Sequence, residues 1–295
     1  MRTLLIANRG EIAVRILHTA AELGLRSVAV FADDDAEALH ARRADHAVRL
    51  PGSGAAAYLD VDALLAAAVG AGCDAVHPGY GFLSERAEFA RRVRAAGLVF
   101  VGPSPETLAQ LGDKLQARAL AARCGVPVLR GSAGPLSAAQ ARDFLAALGP
   151  GAAMMLKAVA GGGGRGLRLV SGADDVEAAW TRCRSEAERA FGDGAVYAEE
   201  LLPRARHIEI QVLGDATGHI SQLGERECSL QRRHQKLVEL APCPSLSPAL
   251  RGRLGADAVR LAAAARYQNA GTFEFLVDAD GAGADGPYAF IEANP

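Results

Sequence analysis

Short hydrophobic runs alternate with amphipathic stretches in the first third of the chain. The runs predict β-strands at residues 3–7, 27–31, 47–50, 75–77 and 99–101. Between them, apolar residues recur at helical spacing and predict helices over residues 11–23, 59–69 and 85–95. Strands that alternate with helices in this way are typical of a parallel, doubly wound α/β sheet.

The pattern changes after residue 112. A helix is predicted over residues 113–123, and a strand at residues 154–159 leads into a run of glycines. A strand at residues 167–170, a helix over residues 174–190 and a strand at residues 195–201 follow. These elements predict a small α+β module between the larger parts of the chain.

From residue 207 onwards, the predicted strands are longer and alternate apolar with polar positions, as antiparallel strands with one buried face do. They lie at residues 207–213, 219–224, 271–278 and 288–292. A helix over residues 248–266 separates the two pairs of strands. The segment DADGAGADGP at residues 278–287 is rich in Gly and Asp and predicts a turn.

The composition adds one unusual feature, which is the scarcity of lysine. The chain has 295 residues, 50% of them hydrophobic, so it can bury a core without a disulfide or a metal. Its formal net charge of -2 argues against a broadly basic nucleic-acid-binding protein. Only Lys114, Lys157 and Lys236 are lysines among the 32 basic residues. A bias towards Arg explains this most simply, and it would spare Lys only where a compact ammonium does what a guanidinium cannot.

The cysteines and the apolar stretches bear on the compartment. Five scattered cysteines without a CxxC pair or a zinc-type spacing predict reduced thiols in a cytosolic protein. The apolar run at residues 4–7 is too short for a secretion signal, and no apolar stretch has the length of a membrane span. We therefore expect a cytoplasmic protein with no membrane partner and no nucleic-acid partner.

The loop AGGGGRG at residues 160–166 joins two predicted strands. It is not a P-loop, which needs a Gly-Lys dipeptide ahead of a helix. The turn after the first strand holds only Gly10, which argues against a dinucleotide fingerprint. Consecutive glycines between two strands favour a flexible flap whose amides close over phosphates, with a mobile surface hairpin as the alternative. Lys157 precedes this loop, where its ammonium can meet a phosphate.

Two polar segments follow. The strand HIEIQV places His207, Glu209 and Gln211 on one face, which is either a functional face or a solvent-facing one. The segment ERECSLQRRHQK at residues 225–236 then follows a predicted strand and precedes an apolar stretch. It favours an anion site over a solvated loop because four positive groups lie within five residues, namely Arg232, Arg233, His234 and Lys236.

Two glutamates lie on the strands that flank the Gly- and Asp-rich turn. Glu274 and Glu292 are equally distant from Gly283, so a hairpin that is symmetric about this glycine places the two carboxylates opposite each other. Such a pair is destabilising unless a positive charge lies between them. A Mg²⁺ ion that bridges to nucleotide phosphates satisfies both carboxylates, and Asn294 can add an oxygen ligand. The alternative is an asymmetric loop with unrelated glutamates.

The chain resembles the biotin carboxylase component of biotin-dependent carboxylases, a member of the ATP-grasp superfamily. Eight motifs carry the resemblance, in order and at family-like spacing, from residue 1 to residue 295. They are IANRGEIAVRI at 6–16, HPGYGFLSE at 77–85, GDK at 112–114, KAVAGGGGRG at 157–166, RHIEIQV at 206–212, ERECSLQRRHQK at 225–236, GTFEFL at 271–276 and FIEANP at 290–295.

The resemblance implies a set of site residues. The nucleotide contacts would fall on Lys114, Lys157, Gly163, Gly164, Glu199, Glu200, Leu201, Leu202, His207, Gln231, His234, Glu274 and Glu292. The ligands of Mg²⁺ or Mn²⁺ would be Glu274, Glu292 and Asn294. Lys236 would bind bicarbonate, and His207 would stabilise phosphate charge. The chain departs from the family at Ala160, commonly a glycine, and at Glu200, commonly a lysine.

The resemblance also implies an ATP-dependent ligase. In the family reaction, bicarbonate attacks the γ-phosphate of MgATP to give carboxyphosphate, which yields CO2 to N1 of biotin. The expected partners are a biotin carboxyl carrier protein or domain, a carboxyltransferase and, in a homodimer, a second copy of the chain. We expect an acyl-CoA carboxylase of fatty acid biosynthesis. The final acceptor is open among acetyl-CoA, propionyl-CoA, other acyl-CoA esters, pyruvate and urea.

The implied domains are an N-terminal α/β domain over residues 1–112 and an ATP-grasp domain over residues 113–295, with a lid at about residues 130–202. In the family, an Arg-x-Gln-Val-Glu-His stretch and a further domain follow FIEANP and supply the base for bicarbonate and the biotin-site arginines. We therefore expect an incomplete ATP-grasp domain that binds MgATP and carboxylates biotin negligibly. The alternatives are another ATP-grasp ligase and a non-catalytic nucleotide-binding or assembly module.

Overall fold

The computed structural model describes residues 1–160, 166–232, 235–280 and 286–295. The chain divides into two compact units, Met1–Ala109 together with Pro295, and Gln110–Asn294. None of the helices in these described ranges combines the length and the apolar character that a membrane span requires.

The first unit is built on a five-stranded parallel sheet with the strand order β3-β2-β1-β4-β5. Its elements are β1 (Thr3–Ile6), α1 (Gly10–Glu22), β2 (Arg26–Phe31), α2 (Leu39–Arg43), β3 (His46–Arg49), α3 (Val61–Gly70), β4 (Ala75–His77), α4 (Ala87–Ala95) and β5 (Val99–Phe100). Helix α5 (Pro105–Gly112) ends in the second unit. The predicted doubly wound parallel sheet is therefore confirmed.

Helix α1 shows why the sequence folds in this way. Its buried residues, Ala13, Ile16, Leu17 and Ala20, recur at the three- and four-residue spacing of one helical face, which packs on β1. Helices α2 and α5 were not predicted. Helix α2 has only five residues, too few to show a helical period.

The second unit contains a small three-stranded antiparallel sheet with the order β7-β6-β8. Its parts are α6 (Lys114–Arg123), α7 (Ala138–Leu148), β6 (Met154–Ala158), β7 (Leu167–Val170), α8 (Val176–Phe191) and β8 (Val196–Glu200). Helix α7 was not predicted, although Ser137 and Gln140 form a capping box at its start. The predicted small α+β module is otherwise present.

A larger antiparallel sheet with the order β11-β10-β9-β12-β13 completes the second unit. It consists of β9 (Ala205–Gly214), β10 (Ile220–Arg232), β11 (Gln235–Leu240), β12 (Asn269–Asp278) and β13 (Tyr288–Asn294), with helix α9 (Pro248–Ala264). The predicted antiparallel sheet is confirmed. The expectation that the strand before the charged segment ends near residue 224 is wrong, because β10 continues to Arg232 past a register shift between Gln222 and Glu225.

The five-stranded sheet has two different faces. The face that packs on α9, called here the α9 face, buries Ile208, Ile210, Phe273 and Phe275 in the main core of the unit. The residues that alternate with these along β9 and β12 lie on the opposite face, called here the site face.

Candidate functional site

The polar residues of β9 are not solvent-facing. Register places Glu209 directly opposite Glu274 of β12 and opposite Arg226 of β10, so all three lie on the site face with His207. Glu209 is 4% exposed and Glu274 is 2% exposed. Of the two interpretations of the HIEIQV strand, the structure excludes the solvated one.

The two predicted metal-binding glutamates are cross-strand neighbours. Glu274 of β12 pairs with Glu292 of β13. Near the turn, Phe275 pairs with Phe290, so Ile291 is an extra residue that shifts the register. The pairing therefore depends on this bulge, and the expectation of a simply symmetric hairpin is wrong. Gly283 itself lies outside the described residues.

Positive side chains surround these carboxylates. Lys236 donates hydrogen bonds from Nζ to Glu274 Oε1 at 2.9 Å and to Glu209 Oε2. His207 Nε2 contacts Glu274 Oε2, and Lys114 Nζ contacts Glu292 Oε2. These ammonium and imidazole groups offset the repulsion that two opposed glutamates would otherwise create.

Charged neighbours also determine the protonation of Glu274 and Lys236. Burial opposes ionisation of Glu274, but the hydrogen bond and charge of His207 and the charge of Lys236 outweigh it and lower the pKa of Glu274 to about 2. Burial likewise opposes the charge of Lys236, yet Glu274 and Glu209 raise its pKa above the usual value. Glu274 is therefore ionised and Lys236 is charged at neutral pH.

The orientation of His207 is determined by its neighbour Gln231. The Gln231 amide donates from Nε2 to His207 Nδ1 at 2.8 Å and to the Cys228 carbonyl at 2.8 Å. With Gln231 on the Nδ1 side of the ring, Nε2 faces the Glu274 carboxylate. Asn294 donates from Nδ2 to Glu274 Oε1 at 2.7 Å and so lies beside the same carboxylate.

A second cluster of charged side chains lies at the small sheet. Lys157 of β6 and Arg118 of α6 both contact Glu199 of β8, with Arg118 Nη1 2.8 Å from Glu199 Oε1. Burial opposes the charge of Glu199, but Lys157 and Arg118 outweigh it, and the pKa of this carboxyl is lowered. Lys114 and Arg118 are four residues apart on α6, so one face of this helix contributes a side chain to the cluster at Glu292 and to the cluster at Glu199.

The remaining predicted contacts follow Glu199. The backbone N–H of Glu200 donates to the Arg130 carbonyl at 2.8 Å, and the N–H of Leu201 donates to the Ala153 carbonyl at 2.9 Å. The Glu200 carboxylate lies 3.4 Å from Arg130, and Leu202 is partly exposed. The predicted contacts Gly163, Gly164 and His234 lie outside the described residues.

The sequence interpretation missed two arginines, Arg118 and Arg226. Arg226 donates to Glu209 Oε1 and, at 3.0 Å, to Gln211 Oε1. Arg118 could have been predicted, because it lies four residues after Lys114 and therefore on the same helical face. Arg226 was missed because the predicted strand ended near residue 224, before this residue. Lys236 was expected in an anion site, and the structure places it in strand β11, where it pairs with Gln231 of β10.

Cys228 lies beside the site carboxylates. Its sulfur and the carboxylates of Glu209 and Glu239 lie within 4.8 Å of one another. Burial, followed by the charge of Glu209, raises the pKa of the thiol to about 12. The thiol therefore stays protonated, and Glu209 is already bonded to Lys236 and Arg226.

Comparison with known proteins accounts for both units. Residues 1–108 match the family described as "Biotin carboxylase, N-terminal domain". Residues 113–295 match the family described as "Carbamoyl-phosphate synthase L chain, ATP binding domain". Mitochondrial pyruvate carboxylase of Mus musculus is 48% identical over 298 residues. That alignment covers 100% of this chain and 25% of the mouse protein, so the chain spans about a quarter of that relative.

Solved structures agree with these matches. A biotin carboxylase from Campylobacter jejuni, described as a β-γ-ATP complex, has a TM-score of 0.95 and 43% identity over 99% of this chain and 65% of that one. The biotin carboxylase domain of 2-oxoglutarate carboxylase from Hydrogenobacter thermophilus, described as a dimer with MgADP, ADP and bicarbonate, has a TM-score of 0.93 and 38% identity, with coverage of 99% and 63%. The chain therefore belongs to the biotin carboxylase family, and its second part is an ATP-binding domain of the carbamoyl-phosphate synthase L-chain type.

Proposed function

We propose that this chain is the MgATP-binding part of a biotin carboxylase, with an N-terminal domain over residues 1–112 and an ATP-grasp domain over residues 113–295. One observation carries the proposal. Glu274 and Glu292 lie directly opposite each other, and the ammonium groups of Lys236 and Lys114 contact them. Opposed carboxylates with adjacent lysines suit a divalent cation and the phosphates that come with it.

The chemistry of the donor set fits Mg²⁺. Two carboxylates on adjacent strands offer oxygen ligands, and the Asn294 amide lies beside them. Mg²⁺ prefers one or two carboxylates together with phosphate oxygens, so Glu274, Glu292 and Asn294 would bind it. When bound, the ion neutralises phosphate charge and polarises the γ-phosphate for attack.

The side chains of this chain supply the rest of the proposed site. Lys114 and Lys157 bind phosphate oxygens and stabilise the charge that develops on them. His207 directs Nε2 to the same region, and Gln231 keeps its ring oriented. Lys236, bonded here to Glu209 and Glu274, is close enough to these residues to bind bicarbonate beside the γ-phosphate.

The proposed reaction balances in two steps. A bicarbonate oxygen forms a bond to the γ-phosphorus as the bond to ADP breaks, which gives carboxyphosphate. The proton of bicarbonate is released in this step. Carboxyphosphate then splits into CO2 and phosphate, the phosphate takes up the N1 proton of biotin on a carrier protein or domain, and N1 forms a bond to CO2. The biotin-carrying partner, the carboxyltransferase and a second copy of the chain are proposed from the relatives, one of which is described as a dimer.

The final acceptor and the compartment are the less specific parts of the proposal. Two of the three relatives named above are a pyruvate carboxylase and a 2-oxoglutarate carboxylase, so an acyl-CoA carboxylase of fatty acid biosynthesis stays a prediction. A cytoplasmic location stays a prediction too, since the mouse relative is mitochondrial. An acceptor screen of the parent protein with radiolabelled bicarbonate tests acyl-CoA esters, pyruvate and 2-oxoglutarate side by side.

Calorimetric titration of the 295-residue chain with MgATP tests the proposed site. We expect Glu292→Gln to weaken MgATP about tenfold or more, because it removes one anionic ligand of the ion. Glu186→Gln is the matched control, since Glu186 pairs with Arg168 and, like Glu292, is 30% exposed. Absence of MgATP binding by the unaltered chain, or equal affinity of both variants, would refute the proposed site.

A further inference from the structure

Glu199 is bonded to two cations of different kinds. It is fully buried, and its two carboxylate oxygens contact Arg118 and Lys157 separately. The side chain of Arg118 is 9% exposed, and that of Lys157 is 16% exposed. A buried carboxylate needs one cation to stay ionised, so the second one calls for an explanation.

Arg118 is fixed in place by the backbone around it. Its Nη2 donates to the Leu129 carbonyl at 2.7 Å while Nη1 donates to Glu199. A Cβ atom at Gly131 would lie 2.5 Å from Arg118 Nη2, so glycine leaves the space that the guanidinium fills. The planar guanidinium therefore makes directed hydrogen bonds to a carboxylate and a carbonyl at once.

Lys157 is bound differently. The hydrogen bond that the structure describes for its ammonium goes to Glu199, and its strand β6 ends one residue later at Ala158. An ammonium on a flexible four-carbon stem can rotate to another anion without movement of the backbone. Such a rotation is what the proposed phosphate contact requires of Lys157.

The two cations of Glu199 therefore have separate roles in nucleotide binding. If Lys157 were its only partner, rotation towards a phosphate would leave a buried, unpaired carboxylate, which is strongly unfavourable. The lysine would then stay on Glu199, and the phosphate would lose its contact. With Arg118 in place, Glu199 keeps a cation after Lys157 has left.

We propose that Arg118 is a positioning residue that keeps Glu199 paired and thereby frees Lys157 for the nucleotide phosphates. The proposal rests on the proposed function, because it takes MgADP or MgATP as the ligand. It assigns Arg118 no contact with the nucleotide. The same arrangement recurs on the site face, where Glu209 is bonded to Arg226 and to Lys236.

Binding of MgADP and of adenosine to the full 295-residue chain and its variants tests this role. We expect Arg118→Met to weaken MgADP about tenfold, which is about 1.4 kcal/mol, and to change adenosine affinity less than about twofold. Adenosine has no phosphate, so it reports disturbance of the nucleotide site apart from its phosphate contacts. Equal loss for both ligands would overturn the proposal, because it would show a general structural effect.

The double variant Arg118→Met/Glu199→Gln gives the sharper result. A neutral amide does not retain Lys157, so we expect the double variant to bind MgADP more tightly than Arg118→Met does. Glu199→Gln alone corrects for the direct nucleotide contact that the family resemblance implies for Glu199. Losses that simply add in the double variant contradict the role of Arg118, because additive effects mean that the two side chains act independently.

Arg251→Met is the matched control, because Arg251 pairs with the buried Glu225 on the α9 face. It should lower the thermal midpoint without changing the ratio of MgADP to adenosine affinity, and a changed ratio would contradict the proposal. If Arg118→Met does not fold, Arg118→Lys replaces it and should lose less MgADP affinity than Lys157→Met. A larger loss in Arg118→Lys counts against the proposal. An unaltered chain that binds no MgADP refutes the proposed function itself, which separates the two failures.

Discussion

The two faces of the five-stranded sheet bury glutamates in opposite ways. The α9 face carries Glu225 and Glu227, which are 5% and 7% exposed. The site face carries Glu209 and Glu274, which are 4% and 2% exposed. The four carboxylates come from neighbouring strands and are equally buried. The difference lies in the groups that neutralise them.

On the α9 face the partners are arginine, the backbone and the side chains of Cys243 and Ser229. Glu225 Oε1 accepts hydrogen bonds from Arg251 Nε at 2.7 Å and from the Cys243 N–H at 3.0 Å. Glu227 Oε1 accepts from Arg206 Nη1 at 2.6 Å. A backbone N–H does not move away, and a guanidinium makes directed, rigid contacts. These carboxylates therefore stabilise the attachment of α9 and of the segment before it.

On the site face the partners include lysine and histidine. Lys236 contacts Glu274 and Glu209, and Lys114 contacts Glu292. Together with Lys157 beside Glu199, this accounts for each of the three lysines of the chain. An ammonium exchanges anions at small conformational cost. Glutamates that are equally buried therefore stabilise the fold on the α9 face and allow ions to exchange on the site face.

The largest expected effect is on the free energy of unfolding, when a buried carboxylate of the α9 face is removed. Glu225→Ala should lower the free energy of unfolding by about 3 kcal/mol, because it removes one partner of a buried ion pair and leaves the Cys243 N–H without its acceptor. Urea denaturation followed by circular dichroism measures the loss. Glu186→Ala, which breaks a partly exposed pair between α8 and β7, should cost less than about 1 kcal/mol. Equal losses in the two variants would remove the basis of the comparison.

A smaller effect, on MgATP affinity, is expected when lysine is replaced by arginine. Lys114→Arg and Lys157→Arg keep the charge but should each weaken MgATP binding about tenfold, or about 1.4 kcal/mol, because a rigid guanidinium stays on its carboxylate. Arg251→Lys is the reciprocal exchange on the α9 face, and it should leave MgATP affinity unchanged. Calorimetric titration measures all three variants. Full affinity in both lysine variants would mean that lysine is retained there by composition alone.

Much of this fold could be predicted from local periodicity. The parallel sheet and the antiparallel sheet were both predicted because their strands alternate or cluster apolar residues. Strand β11 was missed because it is an edge strand whose residues are mostly exposed, so it lacks an alternating pattern. The far end of β10 was missed for a related reason, since its polar residues face other polar residues instead of solvent.

The candidate site shows the same limit. The opposition of Glu274 and Glu292 was predicted from their spacing, but the bulge at Ile291 that produces it was not, because a bulge leaves no periodic signal. Arg118 and Glu199 are 81 residues apart in sequence. Their hydrogen bond joins helix α6 to strand β8, and no local pattern encodes such a long-range contact. Arginines that bind buried carboxylates are thus the part of the site that required the structure.

The smallest expected effect concerns the stability of the protein at low pH and the part that Glu227 on the α9 face plays in it. Burial opposes ionisation of Glu227, but hydrogen bonds from Cys243 and Arg206 outweigh it and lower the pKa of this carboxyl below its usual value. As the pH falls through the usual carboxyl range, the unfolded chain takes up a proton that the folded chain does not, so stability falls. Glu227→Gln lacks this group, and its urea midpoint should fall less than that of the unaltered chain between about pH 5 and about pH 3. Parallel midpoints for the two proteins across this range would show that Glu227 does not contribute to the acid sensitivity, and that the α9 face is insensitive to protonation at this position.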